Sequence, residues 1–346
     1  MMTNIIQELY DRGLIEKLTD ENHLIKIVQE KKIHLYCGFD PTAESLHIGH
    51  LIPLLCLKHF YLNGHTPIIV IGGATALIGD PKNLVFIVHF LQAYDYCFLN
   101  NKHNVILQIG GSDQWGNITL GIDLVNHINK KSVYGLTTPL LVRPNGSKLG
   151  KSDDYKSVVW LDKNKTSVYD FYQFWINSPD HSVFKFLKMF TFLKISDINK
   201  LEKKFIHKKI KPFLVQKILA QEITRIVHGD KQLNLVKKAT EILFLKEISK
   251  ISEEDFVLLS TSGISIYKIS EKNIDIKSVL VNSGLSKSKK NANDMILCSA
   301  ISINNKKNIS SNYIFNNSDK LYNKYTILKK GKKNFCLLIW KIDFNI

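Results

Sequence analysis

The chain has 346 residues, enough for two or three domains with substantial cores, and its 45% hydrophobic and 23% charged residues are typical of a globular protein. No apolar run approaches the roughly 18 residues that cross a membrane, so we expect a cytoplasmic protein with no membrane partner. The formal net charge of +16 indicates either a polyanionic partner such as nucleic acid or a bias of composition toward lysine.

The five cysteines are scattered and include no C-x-x-C pair of the kind that binds zinc or exchanges disulfides. Because three of them lie in apolar segments, we expect reduced, mostly buried thiols. The first 20 residues mix acidic, basic and apolar side chains, which predicts an amphipathic helix rather than a signal peptide.

Two apolar segments flank the motif His47-Ile48-Gly49-His50: a predicted buried strand at 33–39 and a predicted core helix at 51–62. The histidines therefore fall at the start of a helix, where unpaired backbone N–H groups and the helix dipole attract phosphate. A helix cap with no other role is the alternative interpretation.

A second strand is predicted at 66–71, and the glycine-rich turn after it carries Asp80. Strand, helix and strand form a βαβ unit, which places a ligand beyond the carboxyl ends of parallel strands. Asp80 is then either a carboxylate that faces the ligand or the side chain of a structural Asx-turn.

The next helix, predicted at 84–99, carries Gln92 and Asp95 on one face among apolar neighbours. A buried amide and a buried carboxylate need polar partners, so this face is predicted to line a polar pocket. A solvated stripe on a surface helix would have the same spacing.

Two further strands are predicted at 104–109 and 139–142, and each runs into a polar loop that contains glycine. The second loop carries Lys148 and Lys151 on either side of Leu149-Gly150, which suits closure over phosphates, although a solvated turn is the simpler alternative. Helices are then predicted at 168–176, 180–193, 196–205 and 211–228. The segment beyond residue 252 is predicted to form a small, basic and strand-rich unit, as in an RNA-docking module.

Four ordered motifs resemble those of the bacterial-type tyrosyl-tRNA synthetases, a class I family. The first is Tyr36-Cys37-Gly38-Phe39-Asp40-Pro41-Thr42 followed by His47-Ile48-Gly49-His50, and the last is Lys148-Leu149-Gly150-Lys151-Ser152. Between them, 91–95 and 110–117 are similar to motifs of the tyrosine branch, and 282–305 is similar to an S4-type RNA-binding module. The resemblance covers nearly the full chain.

The resemblance implies an α/β fold with a Rossmann-like parallel-sheet catalytic domain at 1–160, a helical anticodon-side domain at 161–255 and an S4-like α+β module at 274–346. It also implies a reaction of L-tyrosine with ATP and Mg²⁺ to give tyrosyl-adenylate, and transfer of the tyrosyl group to the 3' end of tRNA(Tyr). No tightly bound cofactor is expected.

Roles for individual residues follow from the same resemblance. The catalytic residues would be Thr42, His47, His50, Lys148 and Lys151. The phenolic hydroxyl of tyrosine would bind Tyr36 and Asp95, and its ammonium group Asp80 and Gln92. The residues implied to contact ATP or the adenylate are Cys37, Gly38, Asp40, Gly49, Gly111, Asp113, Gln114, Lys151 and Ser152.

Three departures from the family pattern stand out. The family has a much longer segment between the Asp80 turn and the Gln92 helix; it ordinarily supplies much of a homodimer interface, a basic loop and acceptor-stem contacts. Val88 stands where the family has a substrate-binding tyrosine, which predicts weaker tyrosine binding. Ser299 stands where the S4 pattern has glycine.

The alternatives are a tryptophanyl-tRNA synthetase, a small nucleotidyltransferase and a catalytically impaired relic of the family that still binds tRNA. Tyr36 paired with Asp95, together with the S4-like tail, argues against the first, and the lysine loop with the basic tail argues against the second. The missing segment allows the third, but the retention of all four motifs argues against it.

Overall fold

The structure is a computed structural model that describes residues 4–41, 43–72, 85–141, 158–245, 247–270, 274–331 and 333–341. The α-helices of this part are α1 (Ile5–Asp11), α2 (Glu21–Glu30), α3 (Ile48–Leu62), α4 (Val85–His103), α5 (Trp115–Asn129), α6 (Val168–Ile176), α7 (Asp180–Phe190), α8 (Ile195–Ile206), α9 (Pro212–Leu245), α10 (Glu253–Thr261), α11 (Ile276–Asn282) and α12 (Lys289–Leu297). The strands are β1 (Lys17–Leu18), β2 (His34–Phe39), β3 (Thr66–Ile71), β4 (Val105–Gly111), β5 (Tyr134–Thr138), β6 (Ser265–Ile269), β7 (Ile301–Ile303), β8 (Tyr325–Lys330) and β9 (Asn334–Trp340).

The described chain forms two compact units, one of residues 1–166 with 175–223 and the other of 167–174 with 224–346. The three-domain division remains a prediction.

The first unit contains a five-stranded sheet in the order β1-β5-β4-β2-β3. Strands β2 to β5 run parallel, and β1 pairs antiparallel with β5 at the edge. The chain leaves β2 on one side to form β3 and returns on the other side to form β4, so the strand order reverses between β2 and β4. Ligands of open parallel sheets bind beyond the carboxyl ends of the strands at such a reversal. The predicted α/β class with a parallel sheet is confirmed.

Helix α3 begins three residues earlier than the apolar pattern predicts. His47 adopts the extended backbone of an N-cap (φ −117°, ψ 173°), and the helix starts at Ile48. Pro53 is the sixth residue of this helix, so it removes one internal i→i−4 hydrogen bond.

The predicted strand at 139–142 is wrong: the strand is Tyr134–Thr138, and residues 139–141 follow it. The sequence Tyr-Gly-Leu-Thr-Thr has little apolar character, yet all five residues are buried. Gly135 explains part of this, because a Cβ there would lie 2.3 Å from Ile118 Cγ2 on α5. The glycine lets helix α5 pack directly on the strand.

The amphipathic helix predicted for the first 20 residues is also too long. Helix α1 ends at Asp11, and Gly13 adopts a left-handed conformation (φ 69°). Arg12 is 4% exposed, and its guanidinium donates to the backbone carbonyls of Thr191 (2.9 Å) and Leu193 (3.0 Å). These bonds hold the end of α1 in place, and the chain does not continue into another helical turn.

The helix predicted at 211–228 ends at the glycine where the sequence pattern places its end. Gly229 has non-helical angles (φ 79°, ψ 170°), and a second helical segment follows it up to Leu245. Helix α9 therefore consists of two helical segments joined at a kink.

The second unit contains a four-stranded sheet in the order β6-β9-β8-β7, with β6 parallel to β9 and the other pairs antiparallel. Helices α11 and α12 contribute apolar side chains to the same core as the strands. Ser299, placed where the S4 pattern has glycine, has a left-handed backbone (φ 52°). The position therefore has the geometry that favours glycine.

All five cysteines are free, and four of them are buried, as predicted; Cys298 is exposed. No helix in the described part of the chain is long and apolar enough to span a membrane.

Candidate active site at the carboxyl edge of the parallel sheet

The histidine motif forms a closed cap at the start of α3. The His47 N–H donates to His50 Nδ1 (3.1 Å), and the Gly49 N–H donates to His47 Nδ1 (3.0 Å). The two rings lie 3.9 Å apart. A ring nitrogen that accepts a hydrogen bond carries no proton, so the proton of each neutral imidazole is on Nε2.

The backbone donors of this helix start are used within the protein. Ile48 N–H donates to the Val159 carbonyl (3.1 Å), Gly49 N–H to the His47 ring, and His50 N–H to the His47 carbonyl (2.9 Å). The expectation of unpaired backbone N–H groups for phosphate is therefore wrong for these three residues. These three backbone N–H groups are therefore not available to an anion.

The residues just after the lysine loop are joined to the histidine motif. Leu161 N–H donates to the Leu46 carbonyl (2.8 Å), and His47 and Trp160 form an antiparallel bridge with their rings 6.2 Å apart. Lys148, Lys151 and Ser152 lie outside the described residues, as do Thr42 and Asp80. Residues 159–161 are thus held beside His47.

Strand β2 presents neighbouring side chains to opposite faces of the sheet. Cys37 is 2% exposed, and burial raises the pKa of its thiol to about 12, so it is a protonated, buried group. Gly38 is exposed, and a Cβ built there would meet no atom within 4 Å. Asp40 follows the strand and is exposed.

Tyr36 is the most unusual residue of β2. Its side chain is 2% exposed, its ring centroid lies 5.3 Å from that of Tyr96, and its hydroxyl has no hydrogen-bond partner in the described structure. Burial, followed by nearby Tyr96 and Asp95, raises the pKa of Tyr36 well above its usual value. A buried hydroxyl without a partner is costly, so this hydroxyl is a candidate for a hydrogen bond to a ligand.

Helix α4 carries two further residues predicted to contact tyrosine, Gln92 and Asp95. The expectation of a buried carboxylate is wrong, because Asp95 is exposed, although partial desolvation still raises the pKa of its carboxyl. Gln92 is half-buried and accepts a hydrogen bond from Asn117 Nδ2 (2.9 Å). The helix pattern alone did not indicate this pairing, and the polar pocket remains a prediction.

The loop after β4 places Asp113 and Gln114 at the carboxyl edge of the parallel sheet. Gly111 ends the strand, and the tight turn of Ser112–Gln114 follows it directly. Asn117 Nδ2 also donates to Gln114 Oε1 (2.9 Å). Gln92 and Gln114 are thereby joined through one side chain.

Two residues of this region were missed by sequence reasoning. Gln108 on β4 is 2% exposed, pairs in register with Tyr36, and has an Oε1 atom without a partner in the described structure. A glutamine inside an apolar strand was the available signal. Asn117 was quoted as part of a motif, but its bridging contacts depend on the packing of α4 against α5.

The reversal of strand order and the histidine motif at the start of α3 are features of a class of nucleotide-binding enzymes. Comparisons with known proteins identify the family. Residues 28–87 and 84–245 match the family "tRNA synthetases class I (W and Y)", and 257–338 match the family "Tyrosine--tRNA ligase SYY-like C-terminal domain".

A tyrosine--tRNA ligase of Wigglesworthia glossinidia brevipalpis is 52% identical over 98% of this chain and 100% of its own length, and one of Hamiltonella defensa is 39% identical over 98% and 99%. A truncated mitochondrial tyrosyl-tRNA synthetase from Coccidioides posadasii superposes with a TM-score of 0.59 at 25% identity, over 68% of this chain and 91% of its own. The chain belongs to the tyrosine branch of the class I tRNA synthetase family.

The comparisons also locate the missing segment. The alignment with the Wigglesworthia protein extends over 425 positions where this chain has 346 residues, so at least 79 positions have no counterpart here. The two parts of the class I family match meet at residues 84–87. The gap therefore lies between the Asp80 turn and the Gln92 helix, where the sequence pattern predicts it.

Proposed function

We propose that this chain is a tyrosine–tRNA ligase, which activates L-tyrosine with ATP and transfers the tyrosyl group to the 3' end of tRNA(Tyr). The observation that carries the proposal is the buried, unpartnered hydroxyl of Tyr36 beside the charge of Asp95. A phenolic hydroxyl from a ligand would donate to the carboxylate and pair with the Tyr36 hydroxyl. Phenylalanine would leave both groups unsatisfied; this enzyme class is a standard example of such selectivity.

The headgroup of tyrosine, its α-ammonium and carboxylate groups, would bind beside Gln92 on α4. Gln92 would accept a hydrogen bond from the α-ammonium group, and Asp80 would provide the balancing negative charge. With Val88 at the family's tyrosine position, we expect weaker binding than in a chain that keeps the extra hydroxyl.

Activation needs alignment more than covalent chemistry. The tyrosine carboxylate attacks the α-phosphorus of ATP, a bond forms between its oxygen and that phosphorus, and pyrophosphate leaves with the bonding electrons. Donors that meet the charge on the departing phosphates lower the barrier. The Nε2–H groups of His47 and His50 are suited to this task, and we assign the same task to Thr42, Lys148 and Lys151.

The nucleoside half of the adenylate would lie along the ends of β2 and β4. Gly38 and Gly49 would allow close approach, Asp113 and Gln114 would bind the ribose and the carboxylate region, and Cys37 would contact the sugar as an uncharged thiol. Asp40, Gly111 and Ser152 complete the proposed contacts.

The described residues contain no group of three or more His, Cys, Asp or Glu side chains that could hold a metal. We propose that Mg²⁺ arrives on the phosphates of ATP, as it commonly does. We propose no tightly bound cofactor.

The strongly positive chain suits a tRNA partner, and we assign tRNA docking to the S4-like module at 274–346 and the helical region at 161–255. We also propose a cytoplasmic location and a homodimer; the missing segment is the usual site of much of that interface.

A second candidate function is tRNA binding without efficient activation. The absence of at least 79 aligned positions next to the active site favours it, because that segment ordinarily assists phosphate binding. A tryptophan-specific enzyme is less compatible with Tyr36 and Asp95.

The test is ATP–pyrophosphate exchange on the purified full chain with tyrosine, phenylalanine or tryptophan. The proposal predicts exchange that depends on tyrosine and is negligible with the other two amino acids. No exchange above background, together with retained tRNA binding, would replace it with the second candidate.

A further inference from the structure

Asn117 connects two glutamines that come from different elements of the fold. Its Nδ2 atom donates to Gln92 Oε1 on α4 and to Gln114 Oε1 in the loop after β4, both at 2.9 Å. An amide nitrogen has two hydrogens, so these two bonds use its whole donor capacity. All three side chains are half-buried.

The bridge through Asn117 restricts the side-chain orientations of the two glutamines. A glutamine has three rotatable side-chain bonds and loses considerable entropy when it is fixed. With one lone pair of each oxygen bound to Asn117, each glutamine keeps one further lone pair and both Nε2 hydrogens. Each amide can therefore accept one hydrogen bond and donate two in a fixed direction.

The headgroup of an α-amino acid needs this combination. Its ammonium group only donates hydrogen bonds, and its carboxylate only accepts them, so an oxygen and an N–H group must be held close together. We propose that Asn117 is a positioning residue that orients Gln92 for the ammonium group and Gln114 for the carboxylate of tyrosine. This inference rests on the proposed function.

Another asparagine on the same helix provides a matched control. Asn129 Nδ2 donates to the Cys97 carbonyl (3.1 Å) and to Asn100 Oδ1 (2.9 Å), so it also joins α5 to α4 through two bonds. It makes no contact with either glutamine in the described structure. Asn129→Ala therefore removes a comparable helix–helix link without disturbing the proposed headgroup site.

The experiment compares Asn117→Ala and Asn129→Ala with the wild-type full chain. Calorimetry gives the Kd for tyrosine, and competition gives the Kd for tyramine, which lacks the carboxylate, and for 4-ethylphenol, which lacks both charged groups. Asn117→Ala is expected to weaken tyrosine binding about tenfold, because bonds to charged groups contribute roughly 1.5 kcal/mol or more. Its effect on 4-ethylphenol should be less than about twofold, and Asn129→Ala should leave all three constants nearly unchanged.

A double-mutant cycle tests whether Asn117 acts through Gln92. In the Gln92→Ala background, Asn117→Ala should weaken tyramine binding much less than it does in the wild-type background. Equal losses for tyrosine and 4-ethylphenol, or equal effects of the two asparagine variants, would overturn the inference alone. Failure of the wild-type chain to bind tyrosine would overturn the proposed function and the inference with it.

Discussion

Tyr36 and Gln108 occupy matched positions on the neighbouring strands β2 and β4, and each side chain ends in a buried polar atom with no partner in the described structure. Leaving one such group unsatisfied costs about 1–3 kcal/mol. Both residues lie on the two strands between which the strand order reverses.

Tyr36→Phe should stabilise the ligand-free protein while weakening its response to tyrosine. The substitution removes an unsatisfied hydroxyl, so we expect the free energy of unfolding to rise by about 1 kcal/mol. Tyr96→Phe is the matched control, because that equally buried hydroxyl donates to the Tyr134 carbonyl at 2.8 Å. Urea unfolding with and without tyrosine measures both effects; similar destabilisation by the two variants would contradict this account of Tyr36.

Asp95 should give the stability of the ligand-free protein a specific pH dependence. Desolvation raises the pKa of its carboxyl above the ordinary value of 3.8, so the folded state binds the proton more tightly than the unfolded state. The free energy of unfolding should therefore fall as pH rises through the window between these two pKa values. The difference between wild type and Asp95→Asn, measured from about pH 3.5 to 6, isolates this contribution. A difference that does not vary with pH would show that the pKa is not raised.

Substitutions of His47 separate its capping role from its proposed role toward phosphate. Asparagine and serine are good N-cap residues, whereas alanine is not. We expect His47→Ala to lose about 1 kcal/mol of stability and His47→Ser to retain most of it. Both variants should slow tyrosine activation by about tenfold to a hundredfold, since both lack the imidazole Nε2–H. Normal activation by His47→Ser would leave His47 with a capping role only.

Ser299→Gly should stabilise the second unit. Ser299 has a left-handed backbone (φ 52°), which costs a residue with a Cβ roughly 1 kcal/mol relative to glycine. We expect a net gain of about 0.5 kcal/mol, because glycine also makes the unfolded chain more flexible. Ser299→Ala is the control and should give no gain in thermal unfolding; an equal gain from alanine would mean that backbone strain is not the cause.

The sequence predicted the elements whose apolar residues have a clear period. The strand at 66–71 and the helix at 168–176 have the predicted bounds, because the side chains that fix them are local. Strand β5 could not be placed in this way, since a glycine and two threonines become buried only through packing against α5. The extent of α1 likewise depends on carbonyls some 180 residues away, which accept from Arg12.

In the candidate site, too, local residue types could be predicted and contacts between elements could not. Residue types in ordered motifs were enough to select Tyr36, Gln92, Asp95 and the histidines. The sequence could not show that the backbone N–H groups of Ile48, Gly49 and His50 are already used. The Asn117 bridge and the unpaired Gln108 oxygen arise from side chains that meet only after α4 and α5 pack on the sheet.

The most direct test of the central claim is aminoacylation of a tRNA(Tyr) transcript with radiolabelled tyrosine by the full chain. We predict a base-labile tyrosyl ester on the 3' ribose that requires ATP and is reduced by Tyr36→Phe. Absence of this product, under conditions in which a full-length relative charges the same transcript, would contradict the assignment of this chain as a tyrosine–tRNA ligase.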